Sequence, residues 1–238
     1  MAKKELKISQ EDIMELLGKL YDNSIDGIPK VSPPISKLAD DYLSKNKDVE
    51  SAAKSFINYQ IAKCTTSGFI TGLGGLVTLP VAIPANVGSV LYVQMRMIAC
   101  LAQMGGFDTS SDQVQTLVYA CLAGISIDQV IKQFGIQFGV KVTTAMVKKI
   151  PGTVLTKINQ KVGFRLVTKF GSKGLINIGK AIPIVGGVIS GGFDLVETKL
   201  IANRAYKMFI LHDFSSDEPT SDDSLFIDDD FGTVDTNE

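Results

Sequence analysis

Apolar residues recur at helical spacing near the start of the chain. Between Glu11 and Tyr21 they stand three or four positions apart, which places them on one face of a helix. Ser9 followed by Asp12 resembles a capping box, the pairing of side chains and backbone donors that begins many helices. We therefore predict an amphipathic helix over this segment. Its apolar positions are Ile13, Leu16, Leu17 and Leu20.

A proline-rich segment separates this helix from the next two. The sequence from Pro29 to Pro34 is expected to form an extended connection, because proline lacks the backbone donor that a helix interior needs. A second helix is predicted from about Ile35 to Leu43, and a third begins near Val49. The residues that fit the helical period in the third are Ala52, Ala53, Phe56, Ile57, Gln60 and Ile61.

A long uncharged segment follows, from Cys64 to Met95. Its 32 residues are enough to span a bilayer, but Pro80 and Pro84 divide them into two arms. Each arm is shorter than the roughly 20 residues that a membrane-crossing helix needs, unless Arg96 enters the bilayer at a cost of a few kcal/mol. The pattern therefore favours two helices joined by a kinked loop, as a buried hairpin or a shallow re-entrant element.

The middle of the chain combines a turn, an apolar segment and regularly spaced glycines. Residues 105–112 are predicted to form a turn and a helix cap, and Val114 to Phe138 a further helical region. Glycines four positions apart remove side-chain bulk from one helix face, so that a second helix can approach closely. The predicted packing positions are Gly68, Gly72, Gly75, Gly135, Gly139, Gly187 and Gly191.

Charge adds a second feature, since opposite charges are concentrated in different parts of the chain. Ten basic and no acidic residues lie between Gln129 and Phe193, and five of the cations recur at every fourth position beside Ile158, Val162, Leu166 and Phe170. These five are Lys157, Lys161, Arg165, Lys169 and Lys173. Like charges at this spacing repel one another, so the stripe favours an anionic partner. Each cation near an anionic membrane contributes ~1 kcal/mol. The alternative is a solvated face, and nucleic acid is disfavoured because the block has few aromatics for stacking bases and no recognised reading motif.

The C-terminal segment carries the opposite charge. From Asp213 to Glu238 there are ten acidic residues and no basic one, a composition typical of a disordered tail. A small apolar cluster within it, Leu225, Phe226, Ile227 and Phe231, is predicted to dock on another surface. The tail could fold over the basic block and modulate its binding, or act only as a solubilising segment.

The residues that usually carry chemistry are sparse. The three cysteines, Cys64, Cys100 and Cys121, form no CxxC pair, and His212 is the only histidine. No catalytic residue, metal site or cofactor is therefore predicted. Arg96 and Asp194 lie deepest in apolar sequence and are predicted to form a buried ion pair with each other, or with Glu197, Lys199 or Asn86. The N-terminus shows no signal-peptide pattern, which favours a cytoplasmic protein.

Two segments of the chain resemble a known family. SGFITGLGGLVTLPVAIPANVGSVLYVQMRMIACLAQMGGFD and INQKVGFRLVTKFGSKGLINIGKAIPIVGGVISGGFD are similar to the two signature blocks of EcsC proteins. The resemblance covers about residues 35–212. It implies a bacterial, mostly helical protein whose biochemical role is not established and for which no catalytic residues are defined. The family is named for a gene beside an ABC transporter, a context that implies membrane association.

Together these features predict an all-α protein in three parts. Residues 1–34 form an amphipathic helix and a proline-rich connection, 35–212 an EcsC-like helical domain with two glycine- and proline-rich hairpins, and 213–238 the acidic tail. The expected function is non-enzymatic: reversible binding, at the inner face of the membrane, to anionic lipid or a membrane-bound complex. A soluble module that binds an acidic partner is the alternative, and an enzyme acting on lipid is the third candidate.

Overall fold

The computed structural model describes residues 9–29, 31–65, 85–136, 141–170 and 189–215. Within these ranges the chain forms nine α-helices and one π-helix. They are α1 (Gln10–Asp26), α2 (Ile35–Lys45), α3 (Val49–Thr65), α4 (Ala85–Met104), α5 (Asp112–Ala123), α6 (Ile127–Lys132), α7 (Thr144–Val147), α8 (Gly152–Phe170), α9 (Ile189–Ala205) and the π-helix (Tyr206–Ile210). The described residues contain no β-strand, only an isolated bridge between Ile28 and Ser32. The all-α prediction is confirmed.

The first helix forms as its sequence predicts. Ser9 is the N-cap of α1, and its hydroxyl accepts from the backbone N–H of Asp12 while the Asp12 carboxylate accepts from the backbone N–H of Ser9. The Asp12 carboxylate accepts from both the backbone N–H and the hydroxyl of Ser9, and these two bonds lower its pKa because they favour the charged form. The four predicted apolar positions, together with Tyr21 and Ser24, are buried.

Helix α4 lies at the centre of the fold. It contacts α1, α2, α3, α5, α9 and the π-helix, and its residues from Leu91 to Ala102 are all buried. This position accounts for the apolar sequence of the helix, since a helix surrounded on all sides needs no polar face. Among the described residues, no helix combines the length and the apolar character that spanning a bilayer requires.

Arg96 is the exception within this buried helix. Its side chain is 6% exposed, and its guanidinium donates to the carbonyl oxygens of Ser24, at 2.8 Å, and Pro33. One turn earlier, the Tyr92 hydroxyl lies 2.8 Å from the Ser32 hydroxyl. The Ser24 carbonyl belongs to the last turn of α1, where helix carbonyls lack a partner within the helix and attract positive charge. Arg96 therefore stabilises the end of α1 and the proline-rich connection together.

The apolar segment after the turn at 105–111 is divided into two helices. Ser111 caps α5 as expected for the predicted cap, but the helical region predicted from Val114 to Phe138 is interrupted after Ala123, and α6 ends at Lys132. Gly124 ends α5 in the left-handed conformation, with φ of 64°, and α6 begins at Ile127. Glycine adopts this conformation without strain, so the sequence itself contains the stop signal.

Gly135 is a second correction in this region. It lies in a turn after α6 with φ of 71°, and a Cβ built on it would have no atom within 4 Å. Its predicted role in close helix packing is therefore wrong. The residue serves the turn conformation instead.

Two backbones meet closely where α4 ends. A Cβ on Gly105 would lie 2.9 Å from the carbonyl carbon of Phe209 in the π-helix, and closer still to its oxygen. The π-helix is marked by the bond from the Leu211 N–H to the Tyr206 carbonyl, five residues earlier. Phe107 packs beside this junction against Phe209, with ring centroids 5.3 Å apart. Gly105 thus allows the close contact between the end of α4 and the π-helix.

One hydrophobic core runs through the described helices. It includes buried residues of α1 as well as those of α4, α5, α8 and the π-helix. Phe214, at the beginning of the acidic segment, is also buried and lies 6.4 Å from Phe107 between ring centroids. Several predicted residues lie outside the described ranges: Gly68, Gly72, Gly75, Gly139, Lys173, Gly187, Leu225, Phe226, Ile227 and Phe231.

Candidate functional site

The basic stripe lies mainly on α8, whose start and buried face are set by its own sequence. The helix begins after Pro151, whose carbonyl accepts from the N–H groups of Val154 and Leu155. Along one side, Ile158, Val162 and Leu166 are at most 1% exposed and belong to the core. Helix α8 packs there against α1, α5 and α6. The predicted apolar stripe is therefore already covered by the protein itself.

The cations beside it do not share one face. Four residues exceed one helical turn, so a four-residue spacing rotates by about 40° per step. Lys157 and Arg165 are exposed, whereas Lys161 and Lys169 are half-buried. The last of these pairs with Glu197 of α9, and both partners are about one-third exposed. The stripe thus winds from the solvent face of α8 towards its neighbouring helix.

An aromatic side chain lies on the outward face among these cations. Phe164 is 65% exposed, and it lies about 20° around the helix axis from Lys157 and about 60° from Lys161. Arg165, the next residue, lies farther away, about 100° around the axis. A single exposed apolar side chain is common on protein surfaces, so what distinguishes Phe164 is its exposure beside several cations. Sequence reasoning missed Phe164, although its position outside the buried apolar stripe was the available signal.

Arg165 approaches a second arginine at the end of α5. A Cβ built on Gly124 would lie 3.0 Å from Nη1 of Arg204 and 3.5 Å from Nη2 of Arg165. Arg204 lies in the last turn of α9. Three helices therefore bring two guanidinium groups to one point, and only Arg165 was singled out in the sequence.

The predicted ion pair between Arg96 and Asp194 stays a prediction. Arg96 has the two carbonyl acceptors described above. Asp194 and Asn86 lie in described helices, but the structure does not describe their side chains. Glu197, another predicted partner, pairs with Lys169. Gly191 lies in α9, but its surroundings are not among the described features.

The residues with catalytic potential have structural contacts. Nδ1 of His212 lies 3.1 Å from the Val142 carbonyl oxygen, and its ring is tilted against Phe107 at 5.0 Å. Burial raises the pKa of the Cys100 thiol to about 12, so little reactive thiolate forms near neutral pH. In the described part of the chain, no group of three or more histidine, cysteine or acidic residues could hold a metal ion.

No family model, curated protein or solved structure matches this chain.

Proposed function

We propose that the protein binds reversibly to anionic membrane surfaces through the outward face of α8. The observation that carries this proposal is the 65% exposure of Phe164 among Lys157, Lys161 and Arg165. An aromatic ring enters the boundary between headgroups and acyl chains, while the surrounding cations remain at the level of the phosphates. This combination is typical of peripheral attachment.

The magnitudes favour weak and reversible binding. Three cations near an anionic surface contribute roughly 3 kcal/mol, and burial of one phenylalanine contributes about 2 kcal/mol. The sum corresponds to a dissociation constant of about 0.2 mM for a single molecule. Because the apolar stripe of α8 is in the core, it adds nothing to this sum. Binding should therefore depend strongly on salt, on lipid charge and on local concentration.

Membership of the EcsC family remains part of this proposal. The two sequence blocks that resemble the family contain α4, most of α8 and the first six residues of α9. The genetic context of the family, beside a membrane transporter, points in the same direction as the basic outward face. The inner face of the membrane is accordingly the proposed location.

The main alternative is binding to an acidic protein segment. Lys169 favours it, because this member of the stripe already pairs with the carboxylate of Glu197. The acidic C-terminal segment of this chain is one candidate occupant, and a membrane-bound partner is another. Lysine pairs with carboxylates as readily as with phosphates, whereas the exposed phenylalanine has its clearest use at a lipid surface.

Vesicle flotation distinguishes these functions. We expect the wild-type protein to float with phosphatidylglycerol vesicles but not with phosphatidylcholine vesicles, and salt to release it. Phe164→Ala should weaken binding about tenfold or more, from the lost apolar burial. Lys157→Gln/Lys161→Gln should weaken it similarly by removing two charges. The matched control Lys37→Gln/Lys47→Gln removes the same charge from elsewhere on the surface.

Equal flotation of wild type and Phe164→Ala would contradict insertion of the ring. Failure to float, combined with binding of an acidic peptide such as polyglutamate, would support the alternative. In that case the lysine variants should lose peptide binding, while Phe164→Ala should retain it.

A further inference from the structure

We propose that Arg165 and Arg204 form a binding site for a phosphate group above Gly124. This inference goes beyond general attachment to a charged surface, because it assigns a specific site to one anion. It depends on neither Phe164 nor Lys157. The site lies where the end of α5 meets α8 and the last turn of α9.

The first argument is the convergence of two like charges. Both guanidinium groups approach the same point, 3.0 Å and 3.5 Å from a Cβ built on Gly124. Arginine remains charged at all ordinary pH values, so the pair cannot relieve its repulsion by losing a proton. An anion within reach of both groups would remove the repulsion and gain charge-assisted hydrogen bonds.

The second argument is the lack of an internal counter-charge. Within the described ranges, the ion pairs of neighbouring cations connect Lys132 with Asp128 and Lys169 with Glu197, and none includes either arginine. Glu197, about two turns before Arg204 on α9, already pairs with Lys169. Lys161, one turn before Arg165, adds a further positive charge and no negative one.

Capping of α5 does not explain the pair. The N–H groups of Gly124 and Ile125 satisfy carbonyls of the preceding turn, including a 2.8 Å bond from Ile125 to Ala120. In the described part of the chain, neither guanidinium donates a hydrogen bond to the end of α5. The negative end of the helix dipole offsets part of the repulsion, while the arginine N–H donors remain available.

The chemistry of the donors favours a phosphate monoester. Each guanidinium presents a planar fork that matches two oxygens of a phosphate, and two forks match a dianion in charge. Gly124 contributes space, since a Cβ there would lie 3.0 Å from Nη1 of Arg204 and 3.5 Å from Nη2 of Arg165. A terminal phosphate of a lipid headgroup and that of a small soluble ester share this chemistry.

Two arms of one experiment separate these sources. In the first, calorimetry measures binding of glycerol 3-phosphate to the full chain, with chloride at matched ionic strength as the reference. In the second, flotation compares phosphatidic acid with phosphatidylglycerol vesicles of equal surface charge. The variants are Arg204→Gln, Arg165→Gln and the charge-conserving Arg165→Lys/Arg204→Lys, with Lys37→Gln as the matched control. Circular dichroism confirms that each variant is folded.

We expect each glutamine variant to weaken binding about tenfold or more, because one charged fork is lost. The lysine double variant should also weaken it, since the fork is lost while the charge remains. Binding in the first arm identifies a soluble ester. A preference for phosphatidic acid in the second arm alone identifies a lipid headgroup.

Equal binding of wild type and Arg204→Gln in both arms would overturn the proposal. Full affinity of the lysine double variant would do the same, since charge alone would then suffice. Arg165 also belongs to the outward face of α8, so Arg204→Gln and the calorimetric arm are the results that separate this site from the membrane proposal. Loss of flotation by Phe164→Ala tests the outward face of α8, whereas the calorimetric arm tests the arginine pair without any membrane.

Discussion

Replacing Gly105 with alanine would place a methyl group where the π-helix backbone now lies. The new Cβ would be 2.9 Å from the carbonyl carbon of Phe209, whereas ordinary contact begins at 3.4 Å. The two backbones must therefore separate by at least 0.5 Å, the difference between these distances, and by more at the carbonyl oxygen. A backbone carbonyl held within a helix cannot turn aside as a flexible side chain can.

The cost follows from what surrounds the junction. Phe107 packs against the rings of Phe209, His212 and Phe214, so a separation would loosen several contacts at once. Overpacking of this kind typically costs about 1–3 kcal/mol. Alanine is less flexible than glycine in the unfolded chain, and this difference stabilises the folded state by roughly 0.5 kcal/mol, which offsets part of the cost. We expect a net loss of about 2 kcal/mol in unfolding free energy, or a melting temperature lower by roughly 4–8 °C.

Gly18→Ala is the matched control for this substitution. Gly18 lies in the interior of α1, and a Cβ there would have no atom within 4 Å. The same chemical change should therefore stabilise the protein by about 0.5–1 kcal/mol through helix propensity alone. Urea unfolding followed by circular dichroism measures both variants, with equal m-values confirming that the transitions are comparable.

We expect Gly105→Ala to lower the free energy of unfolding and Gly18→Ala to raise it. An unchanged or raised melting temperature for Gly105→Ala would refute the close approach of α4 and the π-helix. Destabilisation of similar size in both variants would refute the explanation from local space, because Gly18 has room for the methyl group.

Two further predictions concern buried side chains. Arg96→Met should lower the unfolding free energy by roughly 3 kcal/mol, because its two carbonyl acceptors lose their donor. The control Lys37→Met, at an exposed position, should change this free energy by less than about 0.5 kcal/mol. Equal urea midpoints for the two variants would contradict the prediction. In a Cys64→Ser variant, a thiol reagent at about pH 8 should label neither Cys100 nor Cys121 until denaturant is added, because both are buried and the Cys100 pKa is raised to about 12. Rapid labelling of the native protein would contradict their burial.

Local signals in the sequence were sufficient for much of the helical fold. The capping box at Ser9 and the apolar spacing of α1 depend on neighbouring residues only, and both predictions are confirmed. The second helix was placed from Ile35 to about Leu43 and extends to Lys45. The break at Gly124 was also encoded locally, but the continuing apolar sequence masked it. Hydrophobicity alone cannot distinguish one long helix from two short ones that are both buried.

The candidate sites depended on tertiary contacts that spacing cannot reveal. The four-residue repeat predicted one basic stripe. Because each step rotates around the helix axis, Lys157 is exposed to solvent whereas Lys169 pairs with Glu197. Arg204 joins Arg165 only because α9 packs near α5. Phe164 could have been recognised as the apolar residue that departs from the buried stripe.

The bond from Arg96 to the Ser24 carbonyl also bears on how the protein folds. The last turn of α1 has no basic side chain of its own, and its stabilising charge comes from 72 positions later in the chain. The end of that helix therefore gains this stabilising bond only when α4 docks against it. Formation of a local element is coupled in this way to a distant one, which makes folding of the N-terminal segment and the central helix cooperative. A fragment that ends before α4 would begin its first helix correctly at Ser9 and fray at the other end.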